Sequence, residues 1–180
     1  MLEKLDFITP TTMKVLEFFF LNNMEEFHER EVIRRVEISK GSGNKILNKL
    51  AVLDFLKRTK RGRMVFYKLN MENPIIKQFK ILENIFQLRE LMGKLKGKSK
   101  KIVLFGSCSE GLDVKNSDID IFIVADEKNS VKNEIRKFNE KNDRLISPII
   151  VDSNELIELK KNDGPLYERI GRGIILWKRE

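Results

Sequence analysis

Apolar positions in the first third of the chain recur at helical spacing, while those in the last third gather into short runs. Met13, Val15, Leu16, Phe19 and Phe20 follow Pro10-Thr11-Thr12, which predicts a helix started by proline or threonine. Val32, Ile33 and Val36 predict a second helix over 28–36. Ser39 is the expected N-cap of a third, with Ile46, Leu47, Leu50 and Leu53 as its buried stripe. Residues 55–59 and 64–69 read as two strands around the loop Lys60-Arg61-Gly62-Arg63. From Pro74 to Leu95, Ile75, Ile76, Phe79, Leu82, Ile85, Phe86 and Leu91 predict one long helix. It is apolar enough to pack on a neighbour or on a second copy of itself. The stretch GKLKGKSKK, 93–101, reads as a linker.

Beyond it, residues 102–105, 119–124 and 145–151 read as strands, with a terminal strand over 174–177. Helices are expected over 130–140, over 153–160 with Ser153 as cap, and over 166–172. Three helices and a basic hairpin make a winged helix-turn-helix, expected over 1–72. A connecting helix and linker follow over 73–98, and a sheet domain over 99–180. The fold class is therefore α+β.

Charge sharpens the division. The chain carries a net charge of +8, and the stretch 39–68 alone holds nine basic residues against one acidic. An excess so concentrated is the footprint of a polyanion, and double-stranded DNA is the expected partner. In a helix-turn-helix the second helix of the pair enters the major groove. Lys40, Ser42, Asn44 and Lys45 would then face the bases, with Ser39 and Lys49 beside them. Lys57, Arg58, Lys60, Arg61 and Arg63 would contact phosphates or the minor groove. Gly41 and Gly43 each weaken this helix by about 1 kcal/mol relative to alanine. Either they allow a close backbone approach or the helix orders on DNA, and both readings stay open. Paired half-sites make a homodimer the natural arrangement. No apolar run approaches the roughly 20 residues of a membrane span, and the N-terminus MLEKLDF has no signal-peptide pattern. With a single cysteine, Cys108, the chain is expected in the cytoplasm.

The residues that carry chemistry lie between 103 and 124. Gly106-Ser107 closes a strand and opens a turn, where a missing Cβ lets the backbone approach a phosphate and Ser107 adds a hydroxyl. Asp118 and Asp120, two apart at the start of a strand, point to one face as a hard oxygen pair suited to Mg²⁺. Gly-Ser, nine residues, then Ser117-Asp118-x-Asp120 within apolar strand residues resembles the DNA polymerase β-like nucleotidyltransferases. The short domain is most similar to the minimal nucleotidyltransferase group.

That resemblance implies transfer of a nucleoside monophosphate from a nucleoside triphosphate, with Asp118 and Asp120 catalytic and ligating Mg²⁺. Gly106, Ser107 and Ser117 would bind the nucleotide. Relatives in this group often work beside HEPN-domain toxins, so a HEPN-type partner protein is one implied acceptor. The family's third carboxylate lies on a later strand, and here the corresponding position is Ser147. Asp143 precedes that strand and Asp152 follows it, the latter expected as a helix cap. Two functions follow: a Mg²⁺-dependent transferase coupled to DNA, or a winged-helix transcription regulator whose nucleotidyltransferase-like domain is degenerate and only binds nucleotide or partner. Cys108 is read as a packing residue or as a reactive thiol at a helix start, and Lys115 as a loop residue near phosphate. Tyr167, Arg169 and Arg172 are candidate base or phosphate contacts, and His28 is read as a helix-start surface residue.

Overall fold

A computed structural model describes residues 5–179. The chain divides into two units with a boundary between Lys77 and Gln78. Among the described residues, no helix is long and apolar enough to cross a membrane.

In the N-terminal unit, Thr9 caps helix α1 (Pro10–Leu21), its hydroxyl accepting from the Thr12 N–H at 3.2 Å. His28 caps α2 (Glu29–Val36) through Nδ1, which accepts from the Arg30 N–H at 3.2 Å, and closes a short strand β1 (Glu26–His28) that the sequence did not suggest. Ser39 caps α3 (Lys40–Val52) as expected. Strands β2 (Leu56–Arg61) and β3 (Met64–Leu69) pair antiparallel with Arg61 opposite Met64, so the connecting turn is Gly62-Arg63 alone, two residues shorter than the expected loop. Strand β1 adds to the other edge of β3, giving the order β1-β3-β2. Val15, Leu16, Phe19, Phe27, Leu47, Leu50, Phe55 and Tyr67 are buried. Edge-to-face stacking of Phe18 on Phe27, with centroids 4.8 Å apart, places the Phe18–Phe20 run in the core.

The two α3 glycines differ. A Cβ on Gly43 would collide with the Ile33 side chain of α2, whereas Gly41 has nothing within 4 Å. Helix–helix packing accounts for Gly43, a reason that neither of the two readings from the sequence included.

The expected helix over 74–95 is two helices, α4 (Pro74–Gln87) and α5 (Arg89–Leu95), separated at Leu88. Ile76, Leu88, Leu91, Met92 and Leu95 are buried, and Ile75, Leu82 and Phe86 are exposed. The segment expected to be a linker is ordered. Residues 96–98 form a 3-10 turn, and Ser99 is buried with its hydroxyl donating to the Leu95 carbonyl at 2.6 Å.

Four strands follow: β4 (Lys101–Leu104), β5 (Ile119–Val124), β6 (Ile146–Val151) and β7 (Ile174–Lys178). Their order is β6-β5-β4-β7, with β5 and β6 parallel and the other two pairs antiparallel. Ile102, Leu104, Ile119, Ile121, Ile123 and Ile146 face a core shared with α5 and with α7 (Lys128–Asn139). Val103, Phe105, Phe122, Val124 and Val151 face a second core, covered by α8 (Ser153–Asn162) and α9 (Gly164–Gly171). This unit is thus a sheet between two helical layers, its strands apolar on both faces.

The contrast between the glycines is measurable. Gly41→Ala should stabilise the protein by about 0.5–1 kcal/mol, and Gly43→Leu should destabilise it by about 1–3 kcal/mol through overpacking. Urea unfolding midpoints check both, and equal shifts for the two substitutions would refute the packing account.

Candidate functional site

Strand alternation decides where the two aspartates point. Ile119, Ile121 and Ile123 enter one core while Phe122 and Val124 enter the other, so Asp120 projects on the Phe122 side. Asp118 lies one residue before β5 and is exposed. Antiparallel pairing of β4 with β5 carries the chain end of β4 to Asp120, the Phe105 N–H donating to the Asp120 carbonyl at 3.1 Å. The next residue, Gly106, has φ +68°, and a Cβ there would strike the Asp120 carboxylate. Any other residue at 106 would be strained in its backbone and would displace that carboxylate. Gly106 opens the short helix α6 (Ser107–Glu110), which places Ser107 directly beyond the contact.

Burial holds the Asp120 carboxyl above its usual range. Arg169 pulls it back down, and Asp118 adds to the rise. The Asp118 charge beside Asp120, in a cradle with no Cβ, makes a pair of hard oxygen donors whose chemistry would suit a divalent cation such as Mg²⁺. Arg169 is one of the candidate base or phosphate contacts. Its guanidinium stacks 5.3 Å from the centre of the Phe105 ring, beside the Gly106 turn. Ser117 closes the turn before the aspartates, its hydroxyl accepting from the Val114 N–H at 2.9 Å. Lys115 is exposed in that turn.

The position where a third carboxylate was sought is structurally defined. Ser147 is the direct partner of Asp120 in the parallel β5–β6 register. It lies on the face of Ile149 and Val151, which is the face of Asp120. Asp152 is otherwise employed. Its side chain caps α8 by accepting from the Asn154 and Glu155 N–H groups at 2.9 and 3.0 Å, while Glu155 accepts in return from the Asp152 N–H. The cap falls one residue earlier than the expected Ser153. Those hydrogen bonds and Lys128 hold the Asp152 carboxyl below its usual range. Among the described residues, no group of three or more His, Cys, Asp or Glu side chains is arranged to hold a metal ion.

A polar network that sequence reading missed lies behind the Gly106 turn. Lys80 and Asn84 of α4, Asp113, Cys108 and Arg144 meet there, the first four buried. Asn84 Nδ2 donates to the Cys108 carbonyl and to Asp113 Oδ1, each at 3.0 Å. Lys80 donates to the Asp113 carbonyl and lies 3.5 Å from its carboxylate. Burial pushes the Lys80 ammonium below its ordinary value, against the pull of Asp113. A lysine and an asparagine four apart in an apolar helix were the available signal, since a buried polar pair there needs partners.

Cys108 is the packing residue of the two readings. It is fully buried, and burial together with Asp113 pushes its thiol up to about 11, against the opposing influence of Arg144. A thiol so raised is a poor nucleophile.

The residues expected on DNA are exposed, apart from Lys49, which is half-buried and pairs with Asp6 at 2.8 Å. Several already have partners: Lys57 pairs with Glu72 at 2.9 Å, and Arg61 with Glu26 at 2.7 Å. Asn44 donates to Glu29 at 3.3 Å, and the Ser39 hydroxyl donates to that of Ser42 at 2.9 Å. Lys40, Lys45, Lys60 and Arg63 make no ion pair among the described residues.

Labelling tests the thiol assignment. In the folded protein Cys108 should react slowly at the ordinary thiol value of 9.0 and faster only as pH nears about 11, whereas the urea-unfolded chain should react as an ordinary thiol. The native state keeps a proton that the unfolded state loses, so the stability this contributes is complete below 9.0 and is lost as pH rises to about 11. Rapid labelling of the native protein at neutral pH would contradict the assignment.

Comparison with known proteins follows the same segment. The family model described as "Nucleotidyltransferase domain" matches residues 85–171. A crystal structure of a candidate nucleotidyltransferase from Sulfolobus solfataricus is 18% identical, with a TM-score of 0.41, covering 61% of this chain and 94% of that one. No curated protein matches the chain. The matched residues, 85–171, include the Gly106 turn, both aspartates and Ser147.

Proposed function

We propose that this protein binds a nucleoside triphosphate with Mg²⁺ at Ser107, Asp118 and Asp120, and binds duplex DNA through a winged helix-turn-helix in its N-terminal unit. The observation that carries the first part is the fit of Gly106 against the Asp120 carboxylate, which joins the serine turn and the aspartate strand into one site. When bound, Mg²⁺ would draw triphosphate oxygens to the carboxylate pair and neutralise charge there. Ser107 would donate its hydroxyl to a phosphate, and Arg169 would offset negative charge beside Asp120.

The pairing of Ser147 with Asp120 favours nucleotide binding without efficient transfer. A serine in that place supplies no third carboxylate to hold a second ion or to take the proton from an acceptor hydroxyl. In this reading the protein is a DNA-binding regulator that senses nucleotide. The second reading, transfer of a nucleoside monophosphate to a partner protein of HEPN type, is favoured by the family match and the intact aspartate pair.

For DNA, three features support the reading: three capped helices followed by an antiparallel basic hairpin, the charge concentrated in 39–68, and exposed Lys40, Lys45, Lys60 and Arg63. The acidic partners of Lys57 and Arg61 would have to yield those side chains to phosphates.

Calorimetry with Mg²⁺ and ATP should give binding for the native chain and none for Asp118→Ala/Asp120→Ala. With labelled nucleoside triphosphates, transfer should be absent or slow and should increase in Ser147→Asp. Rapid transfer by the native chain would establish the second reading. Duplex binding should weaken as salt rises, and each of Lys60→Ala and Arg63→Ala should reduce the slope of log affinity against log salt by about 1. Affinity indifferent to salt would remove DNA from the proposal.

A further inference from the structure

Arg144 lies in the connection before β6 and ties the two halves of the site together from behind. Its Nη2 donates to Cys108 Sγ at 3.0 Å, next to Ser107, and its Nε donates to the Ser117 carbonyl at 3.3 Å, next to Asp118. Nη1 donates to Asn84 Oδ1 at 2.8 Å, and Nη2 lies 3.3 Å from Asp113 Oδ2. Asn84 returns hydrogen bonds to the Cys108 carbonyl and to Asp113. The Cys108 thiol itself donates to the Asp118 carbonyl at 3.5 Å. Every partner of this guanidinium therefore belongs to the Ser107 helix, to the turn leading into Asp118, or to the side chain that joins them.

We propose that Arg144, backed by Asn84, is a positioning residue that sets the spacing between Ser107 and Asp118 and so prepares the site for a metal–nucleotide complex. This rests on the nucleotide-binding reading above. The planar fork is what the geometry uses: three guanidinium nitrogens meet partners in three directions, which a lysine ammonium on a flexible stem cannot reproduce. Directional hydrogen bonds specify a distance between two segments in a way that apolar packing does not. Outer partners of this kind commonly govern metal affinity without touching the metal.

The test is calorimetric titration of the full chain with Mg²⁺ and ATP. Arg144→Lys and Arg144→Ala should each weaken affinity by on the order of tenfold or more. Lys94→Ala, which removes only an exposed pair with Glu90, should leave it unchanged. Added guanidinium ion should recover part of the affinity of Arg144→Ala, an effect that general destabilisation would not give. Native affinity in a folded Arg144→Ala overturns the inference. Should Arg144→Ala fail to fold, Arg144→Lys decides: a tenfold loss in a folded variant supports the inference and native affinity overturns it. Absence of binding in the native chain, or binding that survives Asp118→Ala/Asp120→Ala, overturns the nucleotide reading and this inference with it.

Discussion

The contact of Gly106 with the Asp120 carboxylate is the constraint around which the C-terminal unit is arranged. It exists because β4 and β5 run antiparallel in register, so the end of one strand meets the start of the other. It survives only because residue 106 has no side chain. A methyl group there would push the carboxylate aside and strain a backbone held at φ +68°. The central place of β5 in the order β6-β5-β4-β7 then gives Asp120 one neighbour from each side, the glycine turn from β4 and Ser147 from β6.

Apolar packing supports this arrangement but does not aim it. The two core faces hold the sheet between its helices, yet the segment from Ser107 to Asp118 is mostly turn and short helix. Its position is set by the buried hydrogen bonds of Asn84, Lys80, Asp113 and Arg144. Burying such groups is costly unless their partners are supplied, and here each of the four has a polar partner within the network. The same burial that encloses the network pushes the Cys108 thiol up and makes it a poor nucleophile.

The N-terminal unit works on a different principle. Its charge is exposed, and the acidic side chains Glu26 and Glu72 hold two of the basic ones on its surface. Such pairs are worth little in water and can be exchanged for stronger partners. Its packing is exacting where α2 meets α3, at Gly43 and Ile33.

Local order was legible in the sequence because periodicity and capping are properties of single segments. The starts of α1 and α3, the strands around 102, 119 and 146, and the Gly-Ser and Asp-x-Asp motifs could all be read from neighbouring residues. The break at Leu88, the ordered 96–101 segment and the strand β1 were missed, since packing and pairing from elsewhere decided them. The site was half legible. Asp118 and Asp120 announce themselves two apart, but nothing local says that Ser147 is the partner of Asp120, or that Arg169 reaches its charge. Arg144 and Asn84 are 60 positions apart, and their hydrogen bond depends on a helix and a strand connection that only folding brings together. A side chain's chemistry belongs to its residue, whereas its partner is determined by which segments the sheet and its helices make neighbours.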